Sequence, residues 1–369
     1  MKLHDLAPPE NAEASLLWRR LEAMSAEILA APEIFRPSTL WEHLNALNAD
    51  QLSRHGFTNF KRTVNQNYFN FLPKTFSDNQ VRNLLRSMVR GGPTVRPFLS
   101  KMERPELLEG FAHDRTLDTR WRRLVYRTFV ALLWDHAVAG DRLGILKSLE
   151  EPTLGNPLRI RYRGRLVSQD LANSAREINH ALEGVEGIES RGSPGPIVAE
   201  LGAGYGRVGY AIAAATRCRY WVFDIPPALL LSEWYLTTTL PGRRIFHFRP
   251  FRDYQEVETE LAAADLAFFS ANQIALLPDR CVDAFLSISS LQEMRPPQIH
   301  NYLSHMSRLT RQRIYLKQWI ESNNTADGVV IPRSEYRVPG PWRVAYDRTD
   351  EVHDHFFELA LNREGAGTP

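Results

Sequence analysis

The chain has little cysteine, little lysine and almost no net charge. Two cysteines, Cys218 and Cys281, in 369 residues cannot build a disulfide framework, and no third partner stands at metal-binding spacing. Both lie beside expected strands and read as small buried apolar side chains in a reducing compartment. A net charge of +2 supplies no field for a nucleic-acid partner. No run approaches the ~20 apolar residues of a membrane span. The segment Met1-Lys2-Leu3-His4-Asp5 lacks the apolar core of a secretion signal. The expected setting is the cytoplasm, with no membrane and no nucleic acid. Six lysines stand against 39 arginines, which reads as coding bias. Neither a repeat nor a low-complexity tract is present.

What remains is a globular composition, 43% hydrophobic with a mean hydropathy of −0.34. The length suits one large domain or two ordinary ones. Residues 10–150 have apolar residues at helical spacing, as in Trp121–Trp134. They predict a mainly helical N-terminal domain over 1–158, with tryptophans 18, 41, 121 and 134 in its core. Residues 160–167 predict a short hairpin. Gln169 to Leu182 predicts an amphipathic helix whose Asp170, Asn173, Ser174 and Glu177 share one face. That face either meets solvent or covers a cleft. Strands near 197–201, 220–224, 266–271, 283–289, 312–318 and 356–362 alternate with helical segments and predict a second domain over 159–369. Its sheet is mostly parallel, covered on both faces. Residues 336–346 predict an antiparallel hairpin with the last strand.

One stretch outweighs the rest. Ile197-Val-Ala-Glu200-Leu-Gly202-Ala-Gly204-Tyr-Gly206-Arg-Val-Gly209 runs from a strand through a glycine turn into a helix, and Tyr220-Trp-Val-Phe-Asp224 ends a second strand. Glycines let the main chain turn tightly and let a ligand approach it. Asp224 stands twenty residues beyond Gly204, a suitable distance for a carboxylate that grips ribose hydroxyls. An adenosine-bearing cofactor is expected. Gly204 to Gly209 also satisfies the dinucleotide fingerprint, so an NAD-dependent oxidoreductase stays open at this point.

The fuller pattern, Glu-x-Gly-x-Gly-x-Gly from Glu200, resembles the first motif of class I S-adenosylmethionine (SAM) methyltransferases. The resemblance implies a Rossmann-like fold with helices on both faces, SAM as cofactor, and a contact of Glu200 with the methionine ammonium. It also implies cofactor contacts for Gly202, Gly204, Gly206, Asp224 and Ile225. Leu266–Gln273, then Leu276-Leu277-Pro278-Asp279, resembles the stretch that meets the adenine edge, through Asn272 or Gln273. Phe223–Leu229, Ile288-Ser289-Ser290-Leu291-Gln292-Glu293-Met294 and Tyr315-Leu316-Lys317-Gln318-Trp319 add likeness to the sugar O-methyltransferase family, over roughly residues 55–362. This implies a sugar or glycosylated natural-product acceptor. A peptide carboxylate or polyketide hydroxyl, and a non-catalytic SAM-fold subunit, are the alternatives.

Methyl transfer to a hydroxyl needs alignment, exclusion of water and removal of a proton. In an open α/β sheet the acceptor faces the carboxyl ends of the strands. Ser289 there joins the cofactor-binding candidates. Glu293, just past the fourth strand, is the expected general base, against the plainer reading of a helix-start acid. Lys317, at the end of the fifth strand, is the second catalytic candidate. Gln292, Gln318 and Trp319 are expected at the substrate. So are Asn65, Asn67 and Tyr68, from an amide and aromatic cluster that reads either as a substrate lid or as turns before core aromatics. His353-Asp354-His355 offers ligands, but alternate strand residues face opposite ways, and no metal is assigned. A homo-oligomer is compatible with the sequence.

Overall fold

The computed structural model describes residues 12–64, 72–90, 117, 119–188 and 194–365. Helices come first: α1 (Ala12–Ala30), α2 (Thr39–His55), α3 (Asn79–Arg90) and α4 (Arg120–Ala139). Ser38 caps α2, its Oγ accepting from the Trp41 N–H at 3.4 Å. The helix ends at Gly56, whose φ of 71° suits glycine best. A hairpin of β1 (Arg159–Tyr162) and β2 (Arg165–Ser168) feeds α5 (Gln169–Ala181). Ser168 caps α5, accepting from the Leu171 N–H at 3.0 Å.

The remainder alternates. In order come β3 (Ile197–Leu201), α6 (Arg207–Ala215), β4 (Arg219–Asp224), α7 (Ala228–Thr239), β5 (Ile245–Phe246), α8 (Glu258–Ala263), β6 (Leu266–Ser270) and β7 (Val282–Ile288). They are followed by α9 (Pro296–Leu309), β8 (Thr310–Trp319), a hairpin of β9 (Glu321–Asn324) and β10 (Val329–Pro332), then β11 (Trp342–Thr349) and β12 (Phe356–Arg363). Eight strands form one sheet in the order β11-β12-β8-β7-β3-β4-β6-β5. Neighbours from β8 to β5 pair in parallel. β12 runs antiparallel to both β8 and β11. This is a Rossmann-like α/β fold. The chain leaves β3 toward β4 and β6, then returns to place β7 on the other side of β3. That reversal opens a crevice beyond the carboxyl ends of β3 and β7.

Every residue of β3 and β6 is buried, as expected of strands covered on both faces. Alternate side chains divide between two cores. Val198, Val222 and Phe268 face one; Ala199, Phe223, Phe269 and Phe285 face the other. The rings of Phe223 and Phe269 stack at 4.9 Å. Leu17, Leu21 and Met24 of α1 and Phe129–Leu133 of α4 join the same cluster as Val198. The expected boundary at 158/159 therefore falls inside a continuous core, because the helices bury their apolar faces on the sheet.

The principal strands stand within two residues of expectation, and both the 160–167 hairpin and the terminal hairpin form. β5 and the β9–β10 hairpin were not expected. β5 has only two residues, and β9 reads Glu-Ser-Asn-Asn, with no apolar alternation to mark it.

Candidate functional site

The glycine turn after β3 sits at the switch point. Gly202, Gly204 and Gly206 have φ of 76°, 60° and 87°, a region that disfavours other residues. A Cβ on Gly202 would stand 2.0 Å from Ser290 Oγ, so the loop after β7 packs directly on this turn. A Cβ on Gly204 would meet open space. Asp224 closes the turn from β4. Its Oδ2 accepts from the Gly204 N–H at 2.8 Å and its Oδ1 from the Ile225 N–H at 2.7 Å. Burial pushes its carboxyl up to about 7 against those two bonds.

Around this turn lies a cleft of about 740 Å³. Gly202, Gly204, Asp224 and Ile225 form one wall; Ser289, Ser290 and Glu293 form another. Phe35 to Ser38 and Trp41 close it from the N-terminal side, and Tyr302 from α9. Sequence reasoning missed these N-terminal residues, since nothing in a helix start signals which distant cleft it covers. Glu293 is held here by its backbone: its carbonyl accepts from Ser38 Oγ at 3.1 Å and from Asn324 Nδ2 at 3.4 Å. Its carboxyl is pushed up to about 8, by burial and then by the Asp224 charge, while the Trp41 indole N–H bonds it and pulls the other way.

Four expected cofactor residues, Glu200, Gly206, Asn272 and Gln273, stand outside this cleft lining. Glu200 is buried in β3 and accepts a hydrogen bond from the Tyr220 hydroxyl; burial pushes it up to about 8. Gln273 is fully buried, accepting from the Ser270 N–H at 2.9 Å and donating to the Arg249 carbonyl at 3.0 Å. Asn272 donates to Glu27 Oε1 of α1 at 3.0 Å. Ala271 is the part of that stretch that reaches the cleft. Gly206 instead starts α6, where a Cβ would press on Leu236 at 3.0 Å.

A second cleft, of about 750 Å³, lies under α5. Asp170, Asn173 and Glu177 line it, so the polar face of α5 covers a cleft. Opposite stand Lys61, Arg207, Lys317 and His353, with the rings of Tyr126 and Phe356. Its charges are tied together. Glu177 accepts from Arg207 Nη1 at 2.5 Å and from Lys317 Nζ at 2.9 Å. Lys317 Nζ also lies 2.7 Å from Asp350 Oδ2. Lys61 donates to Glu151 Oε1 at 2.5 Å and to the Tyr235 hydroxyl at 3.1 Å. Asp170 accepts from the Tyr205 hydroxyl at 2.6 Å. Burial opposes ionisation of Glu177, yet Arg207 and Lys317 outweigh it and hold that carboxyl below its usual range. Burial drives the His353 imidazole down to about 3 despite Asp350, with Lys317 and Arg176 adding to the fall. Its ring is neutral.

The two clefts share Ile288 and Ser289. Ser289 has φ of 55°, a conformation uncommon outside glycine and often found at functional sites. Gln292 and Gln318, expected at a substrate, build the wall behind this seam. Gln292 Nε2 donates to Ser289 Oγ at 3.1 Å, and Gln292 Oε1 accepts from the Trp319 N–H at 2.7 Å. Gln318 Nε2 donates to the Ser287 carbonyl at 2.9 Å, and its Oε1 accepts from the Ser290 N–H at 3.2 Å. Trp319 packs near the rings of His355 and Phe356. Lys317 faces the α5 cleft and Glu293 the glycine cleft, so the two catalytic candidates stand on opposite sides of the seam. Asn65, Asn67 and Tyr68 lie outside the described residues. Among the described residues no three His, Cys, Asp or Glu side chains are grouped to hold a metal ion. No described helix is long and apolar enough to cross a membrane.

Neither a family model nor a curated protein matches the chain. Solved structures do. Magnesium protoporphyrin IX methyltransferase from Synechocystis PCC 6803, with bound SAM, is 14% identical over 52% of this chain and 84% of its own, with a TM-score of 0.33. The 1,6-didemethyltoxoflavin-N1-methyltransferase of Burkholderia thailandensis, with S-adenosylhomocysteine (SAH), is 14% identical over 53% and 78%, at 0.34. Mitomycin 7-O-methyltransferase is 10% identical over 52% and 56%, at 0.32. Scores this low carry no argument about activity.

Proposed function

We propose that this chain is a SAM-dependent O-methyltransferase whose acceptor is a hydroxyl of a sugar or glycosylated natural product. The observation that carries the reading is the pairing of Asp224 with the Gly204 N–H beside a cleft that a Cβ on Gly204 would enter. This is a cradle of bare backbone facing a carboxylate, which fits an adenosine ribose. Asp224 and Ile225 would hold the adenosine, with Gly202 and Gly204 allowing close approach. The cofactor supplies an electrophilic methyl group on a good leaving group.

The chain's own residues then have two tasks. Ile288 and Ser289 line both the cofactor cleft and the α5 cleft, which supports transfer between the two. Ser168, Gln169, Asp170 and Asn173 give the α5 cleft amide, hydroxyl and carboxylate groups, and Tyr126 and Phe356 give it flat rings. That mixture suits a polyhydroxylated acceptor. A hydroxyl becomes strongly acidic as the new C–O bond forms. Its proton then has an acceptor in Asp170, which lines that cleft. Lys317, held between Glu177 and Asp350, orients the acceptor from a fixed point.

Equilibrium titration tests the cofactor: SAM and SAH should bind, and NAD(H) should not. Incubation with methyl-labelled SAM and a panel of hexoses, deoxysugars and glycosides should label one class. Binding of NAD(H) in place of SAM would overturn the reading.

A further inference from the structure

The carboxylates of the two clefts differ in what balances them. In the α5 cleft, Glu177 stands between Arg207 and Lys317. In the glycine cleft, Asp224 and Glu293 face the same space, and their charges oppose each other. Trp41 of α2 donates to the Glu293 carboxylate. Tyr302 of α9 lines the same cleft, and the buried Tyr336 lies close enough for its titration to feel Glu293. Arg36 lines the cleft but is exposed, and its Nε is spent on the Ala31 carbonyl at 2.8 Å. The acid of the glycine motif, Glu200, is engaged by Tyr220 inside the sheet. Two carboxyls therefore line a cleft in which no buried cation faces them among the described residues.

Such a cleft is complementary to a positively charged ligand. SAM carries a sulfonium; its demethylated product SAH carries a neutral thioether in the same place. Glu293 stands four residues beyond Ser289, in the loop that forms the seam, and Ser38 and Asn324 fix that loop through the Glu293 carbonyl.

We propose that Glu293 is a cofactor residue: its carboxylate provides the counter-charge to the sulfonium and makes the cleft prefer the methyl donor over the neutral product. The inference rests on the SAM reading above and gives Glu293 a task other than the removal of the acceptor's proton. It adds a consequence for turnover. Once the methyl group has left, the counter-charge has lost its partner, and the product is released more readily. Because burial and Asp224 keep the Glu293 carboxyl protonated near neutral pH, a cation entering the cleft must expel that proton.

Calorimetric titration of the full chain with SAM and, separately, with SAH reads this without any acceptor. Repeating each titration near pH 7 in phosphate and in Tris gives the proton count. The wild type should bind SAM more tightly than SAH and release more protons with SAM. Glu293→Gln should weaken SAM on the order of tenfold, as expected for loss of one charge-assisted contact. It should change SAH by less than about threefold and abolish the difference in proton release. Glu293→Asp, which keeps the charge, should retain the preference for SAM. A Glu293→Gln protein with the wild-type melting profile, an unchanged SAM-to-SAH ratio and unchanged proton release would overturn the proposal and leave the cofactor reading standing. A wild type that binds neither ligand would overturn both.

Discussion

The two clefts on either side of Ile288 and Ser289 are near equals in size and opposites in electrostatics. Under α5 the charges are satisfied before any ligand arrives: Glu177, Arg207, Lys317 and Asp350 form a buried network. Around the glycine turn the carboxyls of Asp224 and Glu293 are pushed up to about 7 and about 8 by burial. One cleft is a finished polar mould. The other holds latent negative charge that a ligand would call out. A mould suits an acceptor that must be aligned, and latent charge suits a cationic cofactor that must bind and then be released.

The comparison breaks most visibly at Lys317. Its ammonium is 3% exposed in the side chain and holds two buried carboxylates. Lys317→Met keeps the length and removes the charge, leaving Glu177 with Arg207 and Asp350 with Arg176. Breaking a buried network from one side costs ~3–5 kcal/mol. Chemical denaturation should report a loss of that order, with transfer to any acceptor abolished. A Lys317→Met protein as stable as the wild type would mean that the α5 cleft is not a pre-set network.

On the other side, Asp224→Ala should weaken SAM tenfold to a hundredfold, from the loss of charge-assisted bonds to ribose at ~1.5–3 kcal/mol each. Gly204→Val puts a branched side chain at φ of 60° and into the cleft, and should remove binding altogether. Both variants should leave the α5 network intact. Calorimetry with SAM checks both losses of binding, and circular dichroism checks that both variants stay folded. Full SAM affinity in folded Asp224→Ala protein would sink the cofactor assignment.

These asymmetries were only partly legible in the sequence. The glycine turn, Asp224 and the strand positions follow from local rules, because backbone conformation and apolar runs are written within a few residues. The three-to-four spacing of Asp170, Asn173, Ser174 and Glu177 marked a polar face, and Lys317 stood out as the sole lysine after residue 158. What burial does to each of these groups was not legible. Glu200 occupies the motif position, yet Tyr220 of the neighbouring strand β4, whose register partner is Val198, engages it. Asn272 and Gln273 sit in the expected stretch, but contacts with Glu27 and Arg249 hold them away from the cleft. Those partners are remote in sequence, and no spacing announces them. Glu293 was recognisable as a carboxylate past the fourth strand. Which side of the seam it would take depended on Ser38 and Asn324, each from a different part of the chain.

The last expected effect sharpens the contrast most cleanly, because it needs no ligand. Glu200, buried to 3% exposure, has its carboxyl pushed up to about 8, with Asp224 at about 7 and Glu293 at about 8. A carboxyl whose folded value exceeds its unfolded one favours the folded state fully below the unfolded value. That advantage is lost as pH rises toward and through the folded value. Without cofactor, the protein should therefore melt at lower temperature as pH rises from about 5 to about 9, on the order of 1.4 kcal/mol of lost stability per pH unit for a single such group, as an upper bound. The α5 network has the opposite sign, since Glu177 and Asp350 are held below their usual range and lose their pairing only in acid. Glu200→Gln keeps an acceptor for the Tyr220 hydroxyl and removes one titrating group. It should melt close to the wild type at pH 5 and above it at pH 9, flattening the alkaline slope. Melting temperatures for both proteins across that range decide the matter: identical alkaline slopes would show that Glu200 is ionised throughout, and that its place in the sheet is less enclosed than its packing implies.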